Sequence, residues 1–482
     1  ELEEAAMDIL QNLGYETLYG PDIAPDGENP ERTRYEEPVL IKRLQDTLSL
    51  INPNLPSSVI EDAIKQIQRV DSPNLLVNNR NFHRMLIEGI PIEYRSGGRN
   101  RTALVKVIDF DNPEGNEFVA INQYTVVEGV GGTRYTHRPD IVLFINGIPI
   151  VVIELKNPAD ENTTVKKAYY QLQTYKDHIP SLFRTNELLV ISDGYEAKCG
   201  SLSANWERFM PWRTIEGDFE AESSSLQMEV LFRGVLDHER LLDYIRYFIT
   251  FEDDERGNLI KKSAAYHQFH AVNRGIEETL RATSEDGDRK IGVVWHTQGS
   301  GKSLTMLFYA GKLIQKLENP TILVLTDRND LDNQLYSTFA MNRDLLRQDP
   351  QQAETRADIR ELLKTTGGGV IFSTIQKFLP EGEGQYPILS ERRNIIVIAD
   401  EAHRSQYSFQ RSVTLKYDED DTLQEVMTKE GFAAHIRHAL PNASYIGFTG
   451  TPIDLVDRNT VHVFGDYISV YDISRAIEDK TT

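Results

Sequence analysis

Three side chains in the first half of the chain have the types and spacing to hold a cation against a phosphate. Asp140 opens one strand of a hairpin, and Glu154 and Lys156 lie near the end of the next, in VVIELK. Side chains at i and i+2 of a strand point to one face. Glu154 and Lys156 therefore share a face that Asp140 reaches from the neighbouring strand. Two carboxylates and a lysine converging on one spot are costly unless a cation sits among them. Mg²⁺ takes hard oxygen ligands and keeps several waters; Asp140, Glu154 and the carbonyl of Leu155 would supply the protein oxygens. Lys156 would orient or deprotonate the attacking water, or neutralise charge developing on the phosphate. On the next helix Gln171 and Tyr175, in QLQTY, stand at i and i+4 and so on one helix face, able to approach the same spot.

A second group of residues has the spacing for nucleotide chemistry. The apolar run IGVVW leads into HTQGSGKS, His296 to Ser303, and then into the apolar helix LTMLFYAGKL. Strand, glycine loop and helix are the context a phosphate-binding loop requires. Gly299 and Gly301 let the backbone of Thr297, Gln298, Gly299, Ser300 and Gly301 wrap phosphates at a helix N-terminus. Lys302 would reach the β- and γ-phosphates of ATP, and Ser303 would ligate its Mg²⁺. His296 stands where a small residue is usual. About a hundred residues on, NIIVIADEAH reads as a buried strand ending in Asp400, Glu401, Ala402 and His403. Asp400 is placed to hold Mg²⁺, Glu401 to position or activate the hydrolytic water, and His403 to couple nucleotide state to a neighbouring loop.

The elements around these residues follow from pattern. Two helices are expected around Val39 to Ile51 and Ser57 to Val70, after the polar stretch Gly20 to Asn29. From about Ala103 the period becomes that of strands. DIVLFI and PIVVIEL, joined by a turn at Asn146-Gly147, are apolar throughout and read as central strands covered on both faces. A helix from about Thr164 to Ile179 follows, then the strand ELLVISDG, and the span Leu226 to Phe248 reads helical. The polar stretch from Phe251 marks a domain boundary. Beyond it IGVVW, TILVL, GVIFS, NIIVIAD and SYIGFT alternate with helices and predict a parallel sheet. The expected division is one domain over 1–250, which carries Asp140, Glu154 and Lys156, and another over 251–482, which carries the glycine loop.

Composition bounds the partners. The 482 residues carry 40% hydrophobic and 26% charged residues, ordinary globular usage that excludes a collagen-like or wholly disordered chain. The length is a prior of roughly three domains. Net charge is 52 − 74 = −22, which as a sum argues against nucleic acid. DNA, however, reads a local patch, and an acidic run such as Asp418 to Asp421 can sit far from a basic groove. Arg95, Arg99 and Arg101, in YRSGGRNR, are candidate phosphate contacts, a solvated loop being the alternative. The single cysteine, Cys199, allows no disulfide within the chain and no thiolate zinc cluster; it reads as a small residue in a strand-edge turn and suits a reducing cytoplasm. The acidic opening ELEEAAMDILQNLGYE lacks the regions of a signal peptide. No apolar run approaches 18 residues, so no membrane partner is expected.

The motifs resemble two known families at once. PD, thirteen residues, then ELK resembles the PD-(D/E)xK nuclease motif, and QLQTY its Q-x-x-x-Y extension. In that family the first helix often adds an acidic residue near the metal, which here would be Glu3 or Glu4. The order of the later motifs resembles a superfamily 2 helicase. LTDRNDLDNQ, with Asp327 and Arg328, is similar to motif Ia; FSTIQKF, with Thr374 and Gln376, to motif Ib; GFTGTP, with Thr449, Gly450 and Thr451, to motif III. Gln268, in AYHQFHAV, stands where such motors read adenine. Together, and with LSLINPNLP, NNRNFHRMLIEGI, WHTQGSGKSLTM, DEAHRSQY and GDYISVYDISRAIED, the chain resembles the restriction (motor) subunit of type I restriction-modification enzymes.

The resemblance implies an α/β chain: a mixed-sheet nuclease fold flanked by helices, then a RecA-like parallel-sheet domain. It implies an ATP- and Mg²⁺-dependent deoxyribonuclease acting on double-stranded DNA with methyltransferase and specificity subunits. S-adenosylmethionine would belong to another subunit. It implies recognition of an unmethylated site, pumping of DNA, and cutting far away. A second RecA-like domain does not follow GFTGTP within these residues, so the resemblance also implies a fragment that would not translocate DNA alone. Another nuclease–helicase fusion, for repair or resection, and a non-catalytic ATP-binding assembly module are the alternatives.

Overall fold

A computed structural model of the chain describes residues 1–157, 164–217, 221, 226–254, 256–327, 329–364, 367–378, 386–402, 412–417, 423–429, 432–451 and 463–480. The chain divides into two compact units, Glu1–Tyr266 and His267–Thr482.

In the first unit the strands, in chain order, are β1 (Glu16–Tyr19), the hairpin β2–β3 (Ile90–Ser96 and Arg99–Val105), β4 (Phe118–Asn122), the hairpin β5–β6 (Val126–Val130 and Thr133–His137), β7 (Ile141–Ile145), β8 (Ile148–Leu155), β9 (Leu188–Ser192), β10 (Ala197–Gly200), β11 (Met210–Pro211) and the hairpin β12–β13 (Ile249–Asp253 and Leu259–Ser263). The main sheet has seven strands in the order β1-β4-β7-β8-β9-β10-β11. It is mixed: β1 with β4 and β8 with β9 are parallel, and the other pairs antiparallel.

β8 sits centrally, and all eight of its residues are buried, as a continuous apolar run requires when both faces are covered. The β7–β8 turn is tight because Asn146 and Gly147 both take positive φ, 54° and 78°, the pairing a two-residue hairpin turn favours. A Cβ on Gly147 would lie 2.6 Å from the carbonyl oxygen of Leu40, so this turn admits no other residue without displacing the helix Ile41–Ile51.

The helix Val165–His178 lies within one residue of its expected ends at each terminus. Its Val165, Ala168, Leu172 and Tyr175 recur at three- and four-residue spacing, the stripe that packs a helix on a sheet. They join Val119, Ile121, Val142, Phe144 and Val152 in one core cluster.

The second unit has β14 (Lys290–His296), β15 (Thr321–Thr326), β16 (Gln351–Gln352), β17 (Gly369–Thr374), β18 (Ile395–Ala399), the hairpin β19–β20 (Ser412–Tyr417 and Leu423–Lys429), β21 (Ser444–Thr449) and β22 (Tyr467–Tyr471). Its main sheet runs β16-β17-β15-β18-β21-β14-β22, and every pair in it is parallel. The five apolar runs recognised in the sequence are β14, β15, β17, β18 and β21. The architecture is therefore the expected one: α/β throughout, a mixed sheet followed by a parallel one.

Several elements escape the sequence pattern, β1 and the helix Leu75–Glu88 among them. Strands are present well before Ala103, in β1 and in β2, which begins at Ile90: Ile90, Ile92, Ala103 and Val105 are buried while the outward positions, Pro91 and Leu104 apart, are charged or polar. The turn between them is Gly97-Gly98, both at positive φ. The polar stretch from Phe251 is the hairpin β12–β13, within the first unit. β22 adds a strand beside β14. Among the described residues no helix is long and apolar enough to cross a membrane.

Candidate active sites

In the first unit the sheet brings Asp140, Glu154 and Lys156 together. Register pairs Ile141 with Ile153, so Asp140, one residue before β7, faces the Glu154 end of β8. Asp140 Oδ2 accepts from the amide of Leu155 at 2.7 Å. The Lys156 ammonium donates to Glu154 Oε1 at 2.8 Å and to the Leu155 carbonyl at 3.1 Å. Glu154 is 1% exposed, and its second oxygen, Oε2, is buried without a hydrogen-bond partner. Burial first, and the charge of Asp140 second, hold the Glu154 carboxyl up at about 8, with Lys156 pulling the other way. Burial likewise raises Asp140 above the usual carboxylate range. β8 carries Glu154 into the interior because the apolar run on which it rides is buried on both faces.

The orphaned Glu154 oxygen, the Asp140 carboxylate and the Leu155 carbonyl form a hard-oxygen donor set that fits Mg²⁺. Among the described residues no group of three or more His, Cys, Asp or Glu side chains is gathered for a metal, so waters would complete the coordination.

Gln171 and Tyr175 meet as their spacing predicts: Gln171 Nε2 donates to the Tyr175 hydroxyl at 2.5 Å. Burial, followed by the nearby Glu154 charge, pushes that hydroxyl up to about 12, so it stays a neutral donor beside the carboxylates. Glu3 and Glu4 separate clearly. Glu3 accepts from Asn122 Nδ2 and Gln123 Nε2, each at 2.6 Å, and its charge acts on Asp140. Glu4 is 84% exposed. Arg95, Arg99 and Arg101 lie on β2 and β3, all exposed, with Arg99 and Arg101 on the face of Tyr94 and Arg95 on the other. Cys199 is on β10, buried, and its thiol is raised to about 12 by that burial.

In the second unit the carboxyl ends of β14, β21 and β18 lie side by side, the edge where parallel sheets bind ligands. The glycine loop follows β14, Thr449-Gly450-Thr451 ends β21, and Asp400-Glu401 follows β18. Gly299 and Gly301 take positive φ, 87° and 84°, and the helix Lys302–Lys316 starts directly after. A Cβ on Gly450 would sit 2.8 Å from Lys302 Nζ, which places the loop after β21 against the lysine of the glycine loop. Asp400 Oδ1 accepts from the Glu401 amide at 2.9 Å. Glu401 itself has φ +52°, a backbone strain found at functional turns. Ser303 is partly exposed at the helix start. Gln268 Nε2 donates to the Gly301 carbonyl at 3.1 Å. Gln376 Nε2 donates to the Asp327 carbonyl at 2.9 Å, joining the two middle motifs, and Thr374 is buried on β17. Arg328 and His403 lie outside the described residues.

Comparison with known proteins accords with both halves. Residues 1–208 match the family described as Type I restriction enzyme R protein N terminus, and residues 267–482 match SWI2/SNF2 ATPase. The chain is 46% identical over 490 residues to the Type I restriction enzyme HindI endonuclease subunit of Haemophilus influenzae, covering 100% of this chain and 45% of that protein. The chain belongs to the type I restriction endonuclease subunits. It is also 37% identical over 497 residues to the putative MjaIXP endonuclease subunit of Methanocaldococcus jannaschii, covering 98% of this chain and 44% of the relative. A Staphylococcus aureus subunit, SauCOLORF180P, is 27% identical over 373 residues, covering 76% of this chain and 35% of its own length. The chain thus spans less than half the length of these relatives.

Sequence reading of this type I family member misses two sets of residues at the sites. Asn122 and Gln123, which hold Glu3, give no signal beyond a polar strand end. The partners of His296 are on β22: His296, fully buried, bonds through Nε2 to Ser469 Oγ at 2.9 Å. The alternating YISVY is the one signal for that strand.

Proposed function

We propose that this chain carries both the cutting and the DNA-pumping chemistry of a type I restriction-modification complex, working in the cytoplasm with methyltransferase and specificity subunits on unmethylated double-stranded DNA. The observation that carries the proposal is the buried, unpartnered Glu154 Oε2 between Asp140 and Lys156, in a chain that also holds a phosphate-binding loop.

At the first site Asp140, Glu154 and the Leu155 carbonyl would hold Mg²⁺, which when bound polarises the scissile phosphate as a Lewis acid. Lys156 is a cation of this chain already in contact with Glu154. Its ammonium leaves Glu154 for the phosphate, orients water and neutralises charge as the phosphate oxygens gain it. The Gln171–Tyr175 pair supplies a neutral hydroxyl donor beside the carboxylates. At the second site the amides of Thr297 to Gly301 cradle ATP phosphates, Lys302 contacts the β- and γ-phosphates, and Ser303 and Asp400 would hold the accompanying Mg²⁺. Glu401 positions the hydrolytic water, Gln268 reads adenine, and His403 couples that step to the neighbouring motif. Cleavage away from the recognition site follows from separating the two chemistries, since the motor moves DNA while the nuclease cuts it.

The test uses the full-length subunit assembled with its methyltransferase and specificity partners. Lys156→Ala removes cleavage by at least about a hundredfold and leaves ATP hydrolysis near its starting rate. Lys302→Ala removes ATP hydrolysis and, with it, cleavage of sites that require translocation. Cutting that survives Lys156→Ala unchanged would take Lys156 out of the site.

A further inference from the structure

Where a loop turns its amides toward phosphates, its carbonyls face away and need donors of their own. In this loop the Ser300 carbonyl meets such a donor at the start of the helix Tyr266–Thr283, and the Gly301 carbonyl, which also accepts from the amides of Leu304 and Thr305, meets a further one there. His267 Nε2 is 3.1 Å from the Ser300 carbonyl oxygen, and Gln268 Nε2 is 3.1 Å from that of Gly301. A carbonyl only accepts, so the His267 proton is on Nε2. The His267 ring is 6% exposed, and burial lowers its basicity to about 4, so the bond is between neutral groups.

The imidazole is fixed in turn by β22. The Tyr471 ring stacks on it with centroids 3.8 Å apart and planes 10° apart. Tyr471 is fully buried, its hydroxyl donates to Asp479 Oδ2 at 2.9 Å, and its carbonyl accepts from the amide of Thr297, the first residue of the loop proper, at 2.9 Å. Ser469, two residues earlier, holds His296. Strand β22 therefore grips the loop at its start through Thr297 and His296, and at its far side through His267.

We propose that His267 and Tyr471 are positioning residues for ATP binding: the Tyr471 ring sets the His267 imidazole, whose Nε2–H holds the Ser300 carbonyl and so keeps the amides of the loop turned toward the phosphates. The inference rests on the reading of residues 297–303 as an ATP site. It makes β22 a strut whose placement sets nucleotide affinity without touching nucleotide.

His267→Phe keeps a flat ring on Tyr471 and loses the donor. The expected result is ATP–Mg²⁺ binding weakened about threefold to tenfold, read by calorimetric titration, with the thermal midpoint of the chain unchanged within about 2 °C. His267→Gln restores an N–H near the Nε2 position and recovers most of the affinity. Tyr471→Leu removes the ring stacked on His267 and is expected to weaken ATP–Mg²⁺ binding about as much as His267→Phe does. If His267→Phe bound ATP normally, or if His267→Gln were as weak as His267→Phe, the inference would be overturned, since packing alone would then account for the residue. A chain that bound no ATP before any substitution would instead sink the reading of the site, and this inference with it.

Discussion

Lys156 Nζ lies 2.8 Å from Glu154 Oε1, while Glu154 Oε2 meets no hydrogen-bond donor among the described residues. One oxygen of a buried carboxyl is thus met by an ammonium, and the group as a whole bears the charge of Asp140 close by. Burying a carboxyl in this way carries a cost in stability that denaturation can read.

That cost sets a pH dependence. The folded-state Glu154 carboxyl titrates at about 8, above its ordinary value of 4.5. A raised acid favours its protonated form in the fold, so the native state is progressively penalised as pH rises from about 4.5 to 8. Glu154→Gln removes the titrating group. In chelator, the variant is expected to unfold at higher denaturant than the parent at pH 8.5, with the gap closing toward pH 4.5. An equal gap at both pH values would show that the carboxyl is not raised.

The first unit also depends on a buried ion pair outside the site. Lys261 Nζ, fully buried, donates to Glu187 Oε2 at 2.8 Å, to Asn79 Oδ1 at 2.9 Å and to the Asn186 carbonyl at 2.7 Å. Lys261→Ala leaves Glu187 in the interior with only His83 Nδ1, 2.9 Å away, of its two side-chain partners, and costs up to about 3 kcal/mol, less than the loss of a sole partner. Adding Glu187→Gln to it recovers part of that loss. Urea denaturation of the three chains checks both statements.

In the second unit a Cβ at Gly447 would come within 2.8 Å of the Ala402 Cβ and 3.2 Å of the Phe464 ring. Gly447→Ala overpacks the turn that presents Asp400 and Glu401, at a cost of about 1–3 kcal/mol. ATP hydrolysis by the assembled subunit is expected to fall further than stability alone accounts for. A variant with wild-type turnover would show that the turn yields without moving Glu401.

An acidic chain needs a local positive surface to hold DNA. Arg95, Arg99 and Arg101 are exposed on β2–β3 and enter none of the ion pairs found among the described residues. Replacing all three with alanine is expected to flatten the salt dependence of log DNA affinity by up to about three units, at about 0.9 per phosphate contact. Sequence preference stays the same, because phosphate contacts carry no base information. An unchanged slope would assign these arginines to solvent.

Much was legible before any fold was known, wherever function constrains neighbouring positions. Asp140, Glu154 and Lys156 sit on adjacent antiparallel strands, so period-two alternation and one hairpin turn are enough to gather them. The glycine loop, the aspartate after β18 and the threonines after β21 each end an apolar run, and the ends of neighbouring parallel strands meet by construction. Gln171 and Tyr175 needed only the helical repeat.

What the tertiary structure alone decided is long-range and polar. Glu3 was separable from Glu4 only once Asn122 and Gln123, over a hundred residues away, were seen to hold it. The lysine in the polar stretch after Phe251 reads as solvated until Asn79 and Glu187 are seen to surround it. His296 looked like an irregular first residue of a phosphate loop until Ser469 came alongside. Apolar periodicity records which face of an element is buried, because burial acts on every residue of that face in turn. A hydrogen bond between residues far apart in the chain leaves no periodic trace, and its partners are known only when the fold has brought them within about 3 Å.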